Sequence, residues 1–247
     1  MAIGIISAMQ EEMQTLLDNL EEKVATTKGM RTYYQGRLFN KEVILVFSRW
    51  GKVASATTTT QLINDFQVSE IVFTGVAGAI SNTLNIGDII IGKHLYQHDV
   101  DASPLFKKFE VPLLHKTYFE TAVTNRDKLY RSSQAFINSY VDFIDSKKAL
   151  SFHITDPKVI IGDIASGDQF LSDAIQTQKL SSELPSVYCV EMEGAAVAQV
   201  CFEYNIPFSI IRIISDKAND NAHIDFPLFA KEVASHYALG ILQNYFT

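Results

Sequence analysis

Short apolar, β-branched runs alternate with segments of helical periodicity along almost the whole chain. Runs at 3–6, 32–38, 43–47, 71–74, 88–91, 159–164, 187–190 and 208–214 predict strands, being short and rich in Ile and Val. Helices are expected at 10–20, 53–66, 174–180 and 195–204. The clearest helix is the last, where Phe226, Phe229, Val233, Tyr237 and Ile241 recur at steps of three or four, with Asp225 in front as a candidate N-cap. Strands that are apolar throughout, joined by helices, indicate a largely parallel sheet covered on both faces. The early pair 32–38 and 43–47, joined by Phe39, Asn40, Lys41 and Glu42, reads as an antiparallel hairpin in that sheet. No repeat, low-complexity tract or linker interrupts the pattern, so residues 1–247 are expected to form a single domain. Only 101–157 reads poorly: SPLFKKFEVP, a helix near 125–140, then a polar stretch at 145–156. Such a connection is expected to be a lid, an oligomer contact or a disordered excursion.

Composition narrows the picture a little. Forty-seven per cent apolar and 20% charged residues are ordinary for a soluble globular chain, and a net charge of −7 disfavours nucleic acid as a partner. The two cysteines, Cys189 and Cys201, sit in apolar runs and read as buried thiols of a reducing compartment. The first apolar stretch ends at Gln10 and Glu11, and no later run reaches about 18 residues. A cytoplasmic protein that does not enter the membrane is expected.

Candidate chemistry lies where the strands end, because open α/β sheets bind ligands at the carboxyl ends of their strands. The five segments there read SAMQEEM, GVAGAI, ASGDQFLS, EMEGAAVA and SDKANDNAH, and four of them carry an acid. Carboxylates converging on one crevice repel one another, and a catalytic pocket is the simplest reason to tolerate that. Each piece alone has a plain alternative. Glu11 and Glu12 suit a helix dipole, Ser215 and Asp216 a cap, and Glu191 and Glu193 a helix entrance. GVAGAI does not fit G-x-G-x-x-G, and no G-x-S-x-G elbow occurs. Among six histidines only His94 and His98 have H-x-x-x-H spacing, with no third ligand in step, so no metal or cofactor is expected.

Together the strings resemble one family, the bacterial 5′-methylthioadenosine/S-adenosylhomocysteine nucleosidases of the purine nucleoside phosphorylase superfamily. The matching strings are GIISAMQEEM, GKVASA, FTGVAGAI, NIGDIII, QHDVD, ASGDQFL, VEMEGAAVAQVC and RIISDKAND, in the family's order outside about 107–157. The resemblance implies a three-layer α/β/α fold around a mixed, barrel-like sheet, and a homodimer. It implies hydrolysis of the N-glycosidic bond of methylthioadenosine- or adenosylhomocysteine-type nucleosides, freeing adenine in methionine salvage. Asp216 would donate a proton to N7 of adenine with support from Ser215, Glu12 would activate water, and Arg212 would help order both Glu12 and the water. Glu193 would hold the ribose hydroxyls, with Glu191 and Met192 lining the sugar. Phe170 would stack on the base and the backbone of Leu171 would bond it. Phe226 would wall the 5′ side, and Met9, Ala77 and Gly78 would complete the substrate contacts.

Two positions depart from the family pattern. Val76 stands where many members have serine, and Trp50 stands where a small aliphatic residue is common, beside the 5′ pocket. Val100, in the stretch up to Phe106, would enter the neighbour's pocket in a dimer. QHDVDAS resembles members that also accept 6-amino-6-deoxyfutalosine, which keeps that substrate open. Two rivals share the fold: a nucleoside phosphorylase and a non-catalytic nucleoside-binding protein. The first needs cations for phosphate, yet the first loop holds two acids and no arginine; the second would ordinarily lack part of the acid set.

Overall fold

The computed structural model describes residues 1–218 and 222–247, and the backbone alone at 222–225. Ten strands form one sheet: β1 (Ile3–Ser7), β2 (Glu21–Lys28), β3 (Arg31–Leu38), β4 (Lys41–Phe47), β5 (Glu70–Ala79), β6 (Ile89–Gln97), β7 (Phe119–Glu120), β8 (Val159–Ser166), β9 (Val187–Glu191) and β10 (Phe208–Asp216). The expected helices are α1 (Gln10–Asp18), α2 (Lys52–Phe66), α5 (Ala174–Glu183) and α6 (Gly194–Tyr204). Between β7 and β8 lie α3 (Val123–Ile137) and the short α4 (Ser146–Ser151). The chain ends on α7 (Ala222–Phe229), a π turn (Ala230–Ala234) and α8 (Ser235–Phe246). Because α7 begins at Ala222, Asp225 falls inside it rather than in front of it; the Asp225 side chain, like Asn219 and Asp220 of the RIISDKAND string, lies outside the described residues.

The apolar runs are continuous because their alternate side chains enter two different cores. Ile5, Val43, Leu45, Val72, Ile211 and Ile213 face one core, shared with α1, α3 and α8. Their neighbours Ile6, Ile44, Val46, Phe73, Ile210 and Ile214 face the other, shared with α2 and α6. The sheet is thus the middle of three layers, and the stripe Phe229, Val233, Tyr237 and Ile241 is fully buried against it.

Two expectations need correction. Among the described residues five strand pairings are parallel and five antiparallel, so the sheet is mixed rather than largely parallel. Of the three alternatives for 101–157 only the disordered excursion is overturned: the helix expected near 125–140 forms as α3, α4 follows, and Leu129, Phe136, Ile144, Ala149 and Ile154 are core residues. The hairpin of β3 and β4 forms as expected, but its loop is two residues, Phe39 and Asn40, both left-handed (φ 49° and 63°), the turn whose twist suits such hairpins.

Strand β5 organises the rest. One of its edges carries β10 along residues 71–78; the other carries β1 at residues 70–73 and β9 at residues 78–79. From β10 the sheet runs through β6, β8 and β9 back to β5, closing a five-stranded ring, while β1, β4, β3 and β2 continue outward. The carboxyl ends of β1, β5, β8, β9 and β10 therefore meet at one rim.

Candidate active site

A cleft partly open to solvent occupies that rim. Glu12, Glu191, Glu193, Arg212, Ser215 and Asp216 all line it, as do Met9, Val76, Ala77, Gly78 and Met192. Trp50, Phe170 and Phe226 form its mouth, with Leu171 beside them. The rings of Trp50 and Phe170 each meet Phe226 edge-on, at 6.3 and 6.2 Å between centroids. Ala8, Gly75, Gln169 and Val190 also line the cleft without having been singled out by sequence. Of the candidate residues, Val100 alone lies away from its own chain's cleft; it is half-buried, and its carbonyl accepts from Phe109 N–H.

Glu12 is the third residue of α1, and its carboxylate turns back over the helix start. One oxygen accepts from Ala8 N–H and Met9 N–H at 3.0 Å each, the other from Val76 N–H on β5 at 3.0 Å. The dipole-complementing role and a functional one thus coincide, for Glu12 is buried while Glu11 is exposed. Burial raises its pKa, an effect that the Arg212 charge and the three N–H donors offset only in part. Glycine at 75 makes room for it: a Cβ there would lie 2.8 Å from Glu12 Oε1 and 3.2 Å from Arg212 Nη1.

Glu191 and Glu193 leave β9 toward opposite duties. Glu191 accepts from Arg212 Nη2 at 2.6 Å, from Ser166 Oγ, and from the N–H groups of Glu193 and Gly194 at the start of α6. Its carboxylate is thereby committed to the protein. Arg212 in turn lies 4.1 Å over the Phe73 ring and pairs with Glu191, not with Glu12, which it reaches only through its field. The expected help of Arg212 in ordering Glu12 thus acts through its charge rather than through a direct bond.

Glu193 has no cation partner among the described residues; its Oε1 accepts from Gly51 N–H at 2.8 Å. Burial, then the neighbouring Glu191 charge, pushes its pKa up to about 8. A carboxyl whose folded pKa exceeds its unfolded one confers stability below the unfolded value, and that stability is lost as pH rises toward 8. Glu193→Gln is therefore expected to raise Tm at pH 8.5 by several degrees, more than the roughly 2–4 °C that about 1 kcal/mol gives in a chain of this size, and to change it little at pH 4.5. Thermal unfolding followed at both pH values measures this; equal shifts at the two would refute the titration.

Asp216 ends β10. It accepts from Ser215 Oγ at 2.7 Å on one oxygen and from Ala218 N–H at 2.7 Å on the other. Burial raises its pKa against both bonds, so this carboxyl retains a proton more readily than an exposed aspartate. The cleft thus holds one committed ion pair and three further carboxyl groups, from the ends of β1, β9 and β10.

The fold and this rim of acids define the class, for the phosphorylase superfamily profile matches residues 2–246. A 5′-methylthioadenosine/S-adenosylhomocysteine nucleosidase of Anoxybacillus flavithermus is 34% identical over 96% of this chain and 94% of its own. With 32% identity and covering 100% of this chain and 98% of its own, the Streptococcus pneumoniae nucleosidase of that name, bound to the transition-state inhibitor MT-ImmA, superposes at a TM-score of 0.84. Helicobacter pylori futalosine hydrolase superposes at 0.82, also 32% identical, covering 98% and 96%. The chain belongs to the 5′-methylthioadenosine/S-adenosylhomocysteine nucleosidase family. Among its described residues no helix is long and apolar enough to cross a membrane.

Proposed function

We propose that this chain hydrolyses the N-glycosidic bond of 5′-methylthioadenosine, S-adenosylhomocysteine and similar adenine nucleosides, releasing adenine and a 5′-substituted ribose. The observation that carries the reading is the cleft's three carboxyl groups without cation partners among the described residues, Glu12, Glu193 and Asp216, each in a different environment. Adenine is a poor leaving group as an anion. Asp216, whose carboxyl burial makes hold a proton more readily, gives that proton to N7, and Ser215 holds the carboxyl in place. As the bond breaks the sugar gains positive charge, as in glycoside hydrolysis. Glu193, seated by Gly51 N–H, binds the ribose hydroxyls and stabilises that charge when ionised. Glu12, fixed by three N–H donors, takes a proton from the attacking water. Phe170 stacks on the base while Trp50 and Phe226 enclose the 5′ group.

Water is the nucleophile rather than phosphate, since four carboxyl groups face the cleft and its arginine is already paired with Glu191. Adenine release from methylthioadenosine is expected at equal rates with and without inorganic phosphate; strict phosphate dependence with a ribose 1-phosphate product would overturn the reading. A second substrate, 6-amino-6-deoxyfutalosine, is favoured by the aromatic mouth of Trp50, Phe170 and Phe226 together with the likeness to the Helicobacter pylori futalosine hydrolase. Comparing kcat/KM for methylthioadenosine, adenosylhomocysteine, 5′-deoxyadenosine and aminodeoxyfutalosine ranks the 5′ groups. The active form in this reading is a cytoplasmic homodimer in which Val100 completes the neighbour's 5′ pocket, and light scattering tests it: a monomer at micromolar concentration refutes that part.

A further inference from the structure

The loop that carries Phe170 and Leu171 is fastened to the turn that holds Glu193, and the mechanism above makes no use of the fastening. Asp168 lies in that loop, and its Oδ1 accepts from the backbone N–H of Lys52, at the first turn of α2, at 2.7 Å. The backbone N–H of Asp168 donates to Asp99 Oδ2 at 2.9 Å. Asp99 Oδ1 takes Lys52 Nζ at 2.6 Å, and Nζ also donates to Gln97 Oε1 at 3.2 Å, closing a ring of contacts. One residue before Lys52, Gly51 N–H donates to Glu193 Oε1 at 2.8 Å. Gly51 has φ 92°, and a Cβ there would lie 2.9 Å from Asp168 Oδ1, so only glycine admits this approach. From behind, the His98 ring fills the space that a side chain at 167 would need, and His98 N–H donates to Ser166 O at 2.9 Å.

We propose that Asp168 is a positioning residue: by tying the base-facing loop to the Gly51–Lys52 turn, it sets the stacking ring of Phe170 and the ribose-facing carboxylate of Glu193 together. The inference rests on the function proposed above. An ordinary helix cap would only stabilise α2. Here the cap comes from 116 positions away, it belongs to the loop lining the cleft, and the capped turn bonds the carboxylate at the cleft's centre. Filling the base subsite and seating the sugar then become one event, because neither half can shift without straining the Gly51–Lys52 backbone between them.

The test compares Asp168→Ala with Asp168→Asn, which keeps an oxygen to accept from Lys52 N–H. Misplacing a reacting group by about 1 Å can cost on the order of 100-fold, so Asp168→Ala is expected to lower kcat/KM by about 10–100-fold. Its acid limb is expected to move to higher pH, because Gly51 N–H no longer holds the ionised form of Glu193. Asp168→Asn is expected to restore both. A second reading avoids turnover: the affinity for adenine, measured by isothermal titration calorimetry. Adenine is expected to bind Asp168→Ala about tenfold or more weakly, in line with the same misplacement. Wild-type kinetics, pH profile and adenine affinity in Asp168→Ala would overturn the proposal, as would an Asn variant as impaired as the Ala one. If Asp168→Ala does not fold, Lys52→Met cuts the Asp99 arm instead; a smaller loss in the same direction supports the tie and no loss overturns it. A wild-type chain that binds adenine but cleaves no nucleoside defeats the functional reading, and adenine affinity still decides the role of Asp168. One that binds no adenine defeats both.

Discussion

Asp216→Asn is expected to bind adenine nucleosides nearly as wild type does and to cleave them about 10²–10⁴ times more slowly, the range general acid catalysis contributes. The substitution conserves shape. The amide oxygen still accepts from Ala218 N–H, and the amide nitrogen can donate to Ser215 Oγ, which reverses the direction of that one bond. What disappears is the acidic proton. Without it adenine must leave as an anion, so the loss should fall on kcat with KM little changed, the signature of an interaction made only in the transition state. Adenine release followed at saturating methylthioadenosine measures the first quantity, and the dependence of that rate on methylthioadenosine concentration measures the second. A variant whose kcat stays within threefold of wild type would remove Asp216 from the chemistry.

Glu12→Gln should be of similar severity for a different reason. Both oxygens of Glu12 accept backbone N–H groups, so an amide must turn its own NH2 toward at least one of Ala8, Met9 and Val76. An unmatched buried donor costs about 1–3 kcal/mol, and the base that takes the proton from water is gone as well. A fall in kcat of about 10²–10⁴ is expected, with adenine affinity, which depends on the far side of the cleft, within about tenfold. In the wild type the same group shares the low-pH limb with Glu193. Because burial raises the Glu12 pKa, activity is lost on acidification from above the ordinary glutamate range, not only within it. Survival of turnover in Glu12→Gln would assign water activation elsewhere.

Much of this cleft could be read in the chain because its strands are buried on both faces and their ends are unusually acidic. Position after apolar runs marked Glu12, Glu193 and Asp216 only as candidates beside Glu11 and Glu191; the family resemblance singled them out. Other parts left no such trace. Strand β2 is nearly all exposed at an outer edge, so EEKVATTK shows no alternation, and β7 is two residues long. Closure of the ring depends on β5 meeting β9 and β10, pairings more than a hundred residues apart that no local pattern encodes. The partners of Arg212 were also hidden: whether it serves Glu12 or Glu191 depends on side-chain reach across β9 and β10. Asp168 looked like a loop residue because its acceptor role needs Lys52, far away in the chain.

The place of β5 between β1, β9 and β10 has a consequence for how activity arises during folding. Asp216, Glu12 and Glu193 hang on the ends of three strands that touch this one strand and are brought into register by it. Helices α1 and α6 can form from nearby residues, but no pair of these acids is correctly spaced until β5 has met their strands. Contacts so distant along the chain form slowly. During refolding, far-ultraviolet circular dichroism should therefore recover first and nucleoside cleavage last, with adenine affinity returning alongside cleavage rather than alongside the helical signal.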